Sequence, residues 1–171
     1  QALQNGWTPP TTISENDYEF MKNEPVSARR GFVGFAGASW GGKRFGGYAR
    51  GGSRNYADEA SRSLLRDIKK MSNVTFALAD YSWVPVEKGD VVYADPPYAN
   101  TTGYATKFSS EDFWDVAQGW ARSGATVFVS EYAAPPGWAC VCELERIRDL
   151  KSNLRTSEKV VEKLFMKTGS K

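Results

Sequence analysis

Histidine is absent from all 171 residues. Without it there is no Ser-His-Asp triad, no imidazole general base and almost none of the histidine-containing metal sites. Cysteine is nearly absent too: Cys140 and Cys142 are the only two. They read as reduced structural thiols in a reducing compartment, neither bridged nor sharing a metal. No run approaches the roughly 18 apolar residues of a membrane span, and no charged-then-apolar leader stands at the front. The expectation is a soluble intracellular protein with no metal site. The chain is 41% hydrophobic and 25% charged, enough apolar material to bury a core.

One long basic stretch lacks acidic residues altogether. Between Arg29 and Ala57 stand Arg29, Arg30, Lys43, Arg44, Arg50 and Arg54 with no aspartate or glutamate. A formal net charge of +2 therefore hides a segment of +6, which leaves the rest of the chain at −4. Nine glycines and six aromatics share that segment. Its expected partner is a polyanion, with the six cations on phosphates and Phe35, Trp40, Phe45 and Tyr48 available for stacking. The plainer alternative is a packed glycine-rich loop with solvated charges.

The coarse pattern is α/β. Ser14 caps a short helix, residues 29–56 read as a long structured loop because glycine disfavours helix, and residues 58–70 form an amphipathic helix. Strands are expected at 74–78, 90–94, 126–129, 140–144 and 159–165. A helix over 111–122 carries Phe113, Val116, Ala117 and Trp120 as its buried stripe, with Ser110 as cap and Gly124 as terminator. Buried strands alternating with helices predict a largely parallel sheet. Two portions result: residues 1–57, helix plus basic glycine-rich segment, and residues 58–171, the catalytic α/β portion, together one compact domain.

In such sheets ligands sit beyond the carboxyl ends of the strands. After Val91-Val92-Tyr93-Ala94 come Asp95-Pro96-Pro97-Tyr98. The bland reading is a stiff strand-ending turn with a solvated carboxylate. The sharper one notes that the Asp95 carboxylate and the Pro96 carbonyl offer two acceptors side by side, with the Tyr98 ring close by. That set suits a planar ring bearing an amino group. Two hydrogen bonds to such an amine localise its lone pair, so that it can attack a sulfonium methyl without histidine or metal.

The run Asp95-Pro96-Pro97-Tyr98 after a hydrophobic strand resembles the catalytic motif of the Dam-like class of S-adenosylmethionine-dependent DNA N6-adenine methyltransferases, especially phage-encoded ones. Gly31 to Phe35, Gly41 to Arg50, Thr101 to Tyr104, Val127 to Tyr132 and Glu162 to Phe165 are similar to further stretches of that class. The resemblance implies a Rossmann-like methyltransferase sheet and methyl transfer to the adenine amino group in DNA, in the cytoplasm of a bacterial or phage-infected cell. It implies that Asp95, Pro96, Pro97 and Tyr98 are catalytic. It also implies that Asp80, Tyr81 and Asp95 contact the cofactor S-adenosylmethionine, with Ser130-Glu131-Tyr132 near the site. Thr101 to Lys107 would be the segment that closes over the target base, and Arg29, Arg30, Lys43, Arg44, Arg50 and Arg54 would face DNA.

The pattern breaks at the front. The class also uses a lysine-containing first motif, a Phe-x-Gly-x-Gly turn and an acidic residue after its second strand, and none of these precedes Gln1. The expectation is an incomplete sheet lacking its first two strands. Its partners would be DNA and either a separate amino-terminal half or a second copy of itself. The alternatives are a non-catalytic nucleic-acid-binding module and an RNA amino-methyltransferase.

Overall fold

Ser14 opens the first helix, α1 (Glu15–Met21), with a full capping box: its hydroxyl accepts from the Asp17 N–H while the Asp17 carboxylate accepts from the Ser14 N–H. This computed structural model describes residues 1–39, 44–50, 52–98, 108–149 and 157–169. They form two compact units, Gln1–Leu78 and Ala79–Lys171.

The first unit contradicts the expected loop over 29–56. Ser27 caps α2 (Ala28–Phe32), which runs on into one wider π-type turn over Val33–Gly37. The glycines that argue against helix by propensity are the ones that let it pack. A Cβ on Gly37 would stand 2.4 Å from the Phe32 ring and 2.8 Å from Ile13, and one on Gly34 would stand 2.8 Å from the Phe45 ring. Tertiary packing thus overrides the roughly 1 kcal/mol that each glycine costs a helix. Tyr18 is fully buried at the centre, edge-on to Phe45 and Tyr48, and its hydroxyl accepts from the Gly47 N–H at 2.9 Å. The next helix, α3 (Tyr56–Ile68), begins at an Asn55 cap and belongs to this unit, its buried Ser61 donating to the Pro9 carbonyl.

The expected strand at 74–78 does not form. Val74, Phe76 and Leu78 are exposed and their backbone joins no sheet. A run of β-favouring residues becomes a strand only when a neighbour pairs with its N–H and C=O groups.

The second unit is a four-strand mixed sheet in the order β1-β2-β4-β3, with β1 (Val91–Ala94), β2 (Thr126–Glu131), β3 (Ala139–Asp149) and β4 (Ser157–Thr168). Only β1 and β2 are parallel; β4 is antiparallel to both β2 and β3, so the largely parallel expectation fails. The alternating residues of β3 and β4 are the antiparallel signature, and Glu143 and Lys163 face each other across the ladder as an ion pair at 3.1 Å. Helix α4 (Ser110–Arg122) connects β1 to β2 and covers one face. It is capped by Ser109 rather than Ser110, and Gly124 follows it with φ of 97°. Its Phe113, Trp114, Ala117 and Ala121 are buried with Val127, Val129 and Phe165. Each large side chain so buried contributes about 1.5–3 kcal/mol. Among the described residues no helix is long and apolar enough to cross a membrane.

Candidate active site

The β1–α4–β2 crossover sets the geometry. Asp95-Pro96-Pro97-Tyr98 leaves the carboxyl end of β1 directly beside its parallel neighbour, the position that a parallel pair reserves for ligands. Asp95 is exposed, and Pro96, Pro97 and Tyr98 are half-buried.

Two cavities meet at this strand end. The first, about 660 Å³, runs along β1, all four of whose residues line it, together with Asp95, Pro96 and Pro97. Its walls are apolar and aromatic: Tyr81, Phe108, Phe113 and Trp120. The second, about 420 Å³, lies among Tyr93, Asp95, Tyr98, Ser130, Cys142 and Glu162. Asp95 and Tyr93 line both. Asp95 therefore borders both an aromatic chamber and a more polar one.

Tyr98 is fixed by its neighbour Tyr132, whose ring meets it edge-on with centroids 4.8 Å apart. Desolvation first, then the negative charges of Asp95 and Glu162, push its phenol up to about 12. Raised in this way, the hydroxyl stays protonated through the working range, and the ring presents a neutral aromatic surface. Because the fold favours the neutral phenol, this contribution to stability is complete below pH 10 and is lost as pH rises from 10 toward 12. In an alkaline absorbance titration, Tyr98→Phe should remove the component ionising near pH 12; an unchanged upper end of the curve would contradict this environment.

Across the sheet, Tyr93 and Ser130 hydroxyls lie 2.8 Å apart, tying β1 to β2 beneath the second cavity. Of the expected trio, Ser130 lines the cavity and Tyr132 supports Tyr98, whereas Glu131 turns inward, 2% exposed, its carboxylate accepting from the Tyr132 N–H. Tyr93, Glu162 and Cys142 also line this cavity, although the sequence names none of them as a site residue. The period-two alternation of β1 puts Tyr93 on the face of Asp95, and that of β4 puts Glu162 on the face of Leu164. That signal was available for both.

Asp80 and Tyr81 separate. Tyr81 packs edge-on to Phe113 at 5.6 Å and lines the first cavity, while burial raises its phenol. Asp80 sits outside the lining: its Oδ1 accepts from the Ser82 hydroxyl at 2.6 Å and the Ser82 N–H at 2.9 Å, which lowers its pKa. This carboxylate caps the turn Tyr81–Trp83.

The cations of the basic segment scatter as well. Arg30 donates to the Met21 and Lys22 carbonyls that end α1, Arg50 pairs with Glu15, Arg54 with Glu59, and Arg29 lies 3.7 Å from Asp17. Arg44 lies over the Phe45 ring. Lys43 and the segment Thr101 to Lys107 fall outside the described residues. Cys140 and Cys142 are exposed and unbridged. Among the described residues no three Asp, Glu or Cys side chains gather as a metal cluster would.

The first cavity suits one end of S-adenosylmethionine. Its aromatic walls can flank a purine, and the Asp95 carboxylate suits a nearby sulfonium charge. No lysine or arginine lines it to receive an amino-acid carboxylate, so the other end finds no counter-charge among the described residues. No family model, curated protein or solved structure matches the chain.

Proposed function

We propose that this chain is the catalytic-motif portion of a DNA methyltransferase acting on the exocyclic amine of adenine, with S-adenosylmethionine as methyl donor. The observation that carries the reading is the place of Asp95: on a stiff Pro-Pro turn, at the end of a parallel strand, between two cavities. Group transfer requires donor and acceptor to be held side by side, and two cavities that share Asp95 would allow it.

In this reading the second cavity takes the target adenine, its face against Tyr98. The Asp95 carboxylate, which lines both cavities, accepts one amine hydrogen, and the Pro96 carbonyl, next in the chain and on the side of the first cavity, accepts the other, which localises the nitrogen lone pair. Asp95 is then placed to take the proton that the nitrogen sheds once alkylated. The cofactor supplies the electrophilic methyl group. Tyr98 and Tyr132 hold the ring plane, and the protonated phenol adds no competing charge.

The sheet of the working enzyme extends beyond β1 in this account, as a Rossmann-like methyltransferase sheet would. Support comes from the edge itself. Val91 is 71% and Tyr93 63% exposed on a Val-Val-Tyr-Ala strand whose composition is that of an interior strand, and natural edges are normally protected by charge or proline. A further segment or chain, or a second copy, pairs there.

Incorporation of labelled methyl groups into adenine of duplex DNA, with the sheet so completed, tests the reading. A complete sheet that binds DNA and transfers no label would make the chain a nucleic-acid-binding module.

A further inference from the structure

The basic segment carries an uneven promise. Four of the six cations named from the sequence are committed within the first unit: Arg29, Arg50 and Arg54 to carboxylates, and Arg30 to the carbonyls at the end of α1. Arg44 differs. It is exposed, and its guanidinium lies 5.7 Å from the centroid of the Phe45 ring.

Arg44 also borders a small cavity of about 210 Å³, lined by Val26, Ser27, Arg30, Gly31, Phe35 and itself. Two of the lining side chains are arginines and none is acidic. Arg30 spends one N–H on each of two carbonyls and retains others of its five. At the rim stands Phe35, a large aromatic 60% exposed, next to a Val26 that is 91% exposed. Burial therefore does not account for Phe35, although Phe32, one turn earlier on the same helical run, lies in the core.

The support beneath is firm. The Phe45 N–H donates to the Gly34 carbonyl at 2.8 Å, and the Phe45 ring lies where any side chain on Gly34 would have to go. Phe45 itself adopts φ of 51°, unusual for a non-glycine residue, and its packing against Tyr18 holds it there. Gly34 immediately precedes Phe35, and Phe45 immediately follows Arg44. Both outward-facing side chains are thus set on a common, closely packed base.

We propose that the Arg44–Phe35 patch is the nucleic-acid contact of the first unit. Arg44, with the spare donors of Arg30, holds a backbone phosphate, and Phe35 stacks against a base that has left its own stack. An anion and an aromatic face presented together describe a nucleotide, and a cavity with two guanidinium groups and no carboxylate selects for the anion. The inference rests on the reading of the chain as acting on DNA; it narrows the contact from a diffuse basic segment to three side chains, Arg30, Arg44 and Phe35.

The test is fluorescence anisotropy of the full chain with a labelled DNA duplex at several salt concentrations. Arg44→Ala should flatten the slope of log affinity against log salt by about 0.9, the value of one phosphate contact, and Arg44→Lys should keep the slope. Phe35→Ala should weaken binding about tenfold with the slope unchanged, as loss of one base stack does, and Phe35→Trp should restore it. Both are exposed positions, and circular dichroism checks that the fold survives. Wild-type binding and slope in both alanine variants would overturn the proposal, as would a wild-type chain that does not bind DNA. Absence of methyl transfer alongside the expected binding pattern would instead overturn only the catalytic reading.

Discussion

Asp95→Ala lowers methyl transfer by at least about 10²-fold in an enzyme whose sheet is complete, while DNA binding stays within about twofold. The size of the effect follows from what the carboxylate does. In the proposed function it is one of two acceptors for the amine hydrogens, and the anionic one of the two, so its loss would leave the lone pair delocalised into the ring. Asp95→Asn is the subtler variant: its amide oxygen still accepts one hydrogen bond, but the charge that stabilises the developing ammonium is gone. The expected order of turnover is wild type, then Asn, then Ala. DNA affinity should be spared because Asp95 lines the two cavities at the end of β1 in the second unit, whereas the proposed phosphate contact belongs to the first. Wild-type turnover in Asp95→Ala would remove the assignment.

The second large effect is on cofactor binding. The isolated chain offers S-adenosylmethionine aromatic walls at Tyr81, Phe108 and Phe113, but among the described residues no cation lines that cavity, and no described strand pairs with the outer side of β1 along it. Much of the ligand stays in water, and its amino-acid end lacks counter-charges. Calorimetry of the chain alone should therefore show a dissociation constant weaker than about 1 mM, less than about 4 kcal/mol of binding. Pairing a further strand with β1 should raise affinity and turnover together, because the same segment closes both the sheet and the cavity. Tight one-to-one binding by the isolated chain would show that the cavity is already whole.

The local elements were the legible part of the sequence. Ser14 with Asp17, and the Phe113-Ala117 stripe of α4, carry their signals within a few residues, and cap chemistry and helical period suffice to read them. The Asp95 turn was legible because two consecutive prolines after an apolar strand admit few conformations. What failed was long-range. Val74 to Leu78 has every strand propensity and no partner. Residues 28–37 hold three glycines and are still helical, because at Gly34 and Gly37 the missing side chain lets Phe45, Phe32 and Ile13 pack closely. The antiparallel pairing of β3 and β4 shows in alternating charges, but the apolar content of the strands points instead to buried parallel ones. At the site, charge counting pointed to six cations, whereas ion pairs and carbonyls within the fold absorb most of them. Pairing between residues 35 apart, such as Arg50 with Glu15, cannot be read from composition.

Recognition of an aromatic amine by Asp95 is the central claim, and nuclear magnetic resonance of the isotopically labelled full chain tests it without cofactor or completed sheet. Adenosine, titrated to millimolar concentration, should shift the backbone amide signals of Asp95, Tyr98 and Ser130, which line the second cavity, and of Tyr132, which packs against Tyr98. Purine riboside, the same ring without the amino group, should leave them nearly unmoved, and Asp95→Ala should abolish the response to adenosine. Equal shifts with both nucleosides, or none with either, would contradict the account.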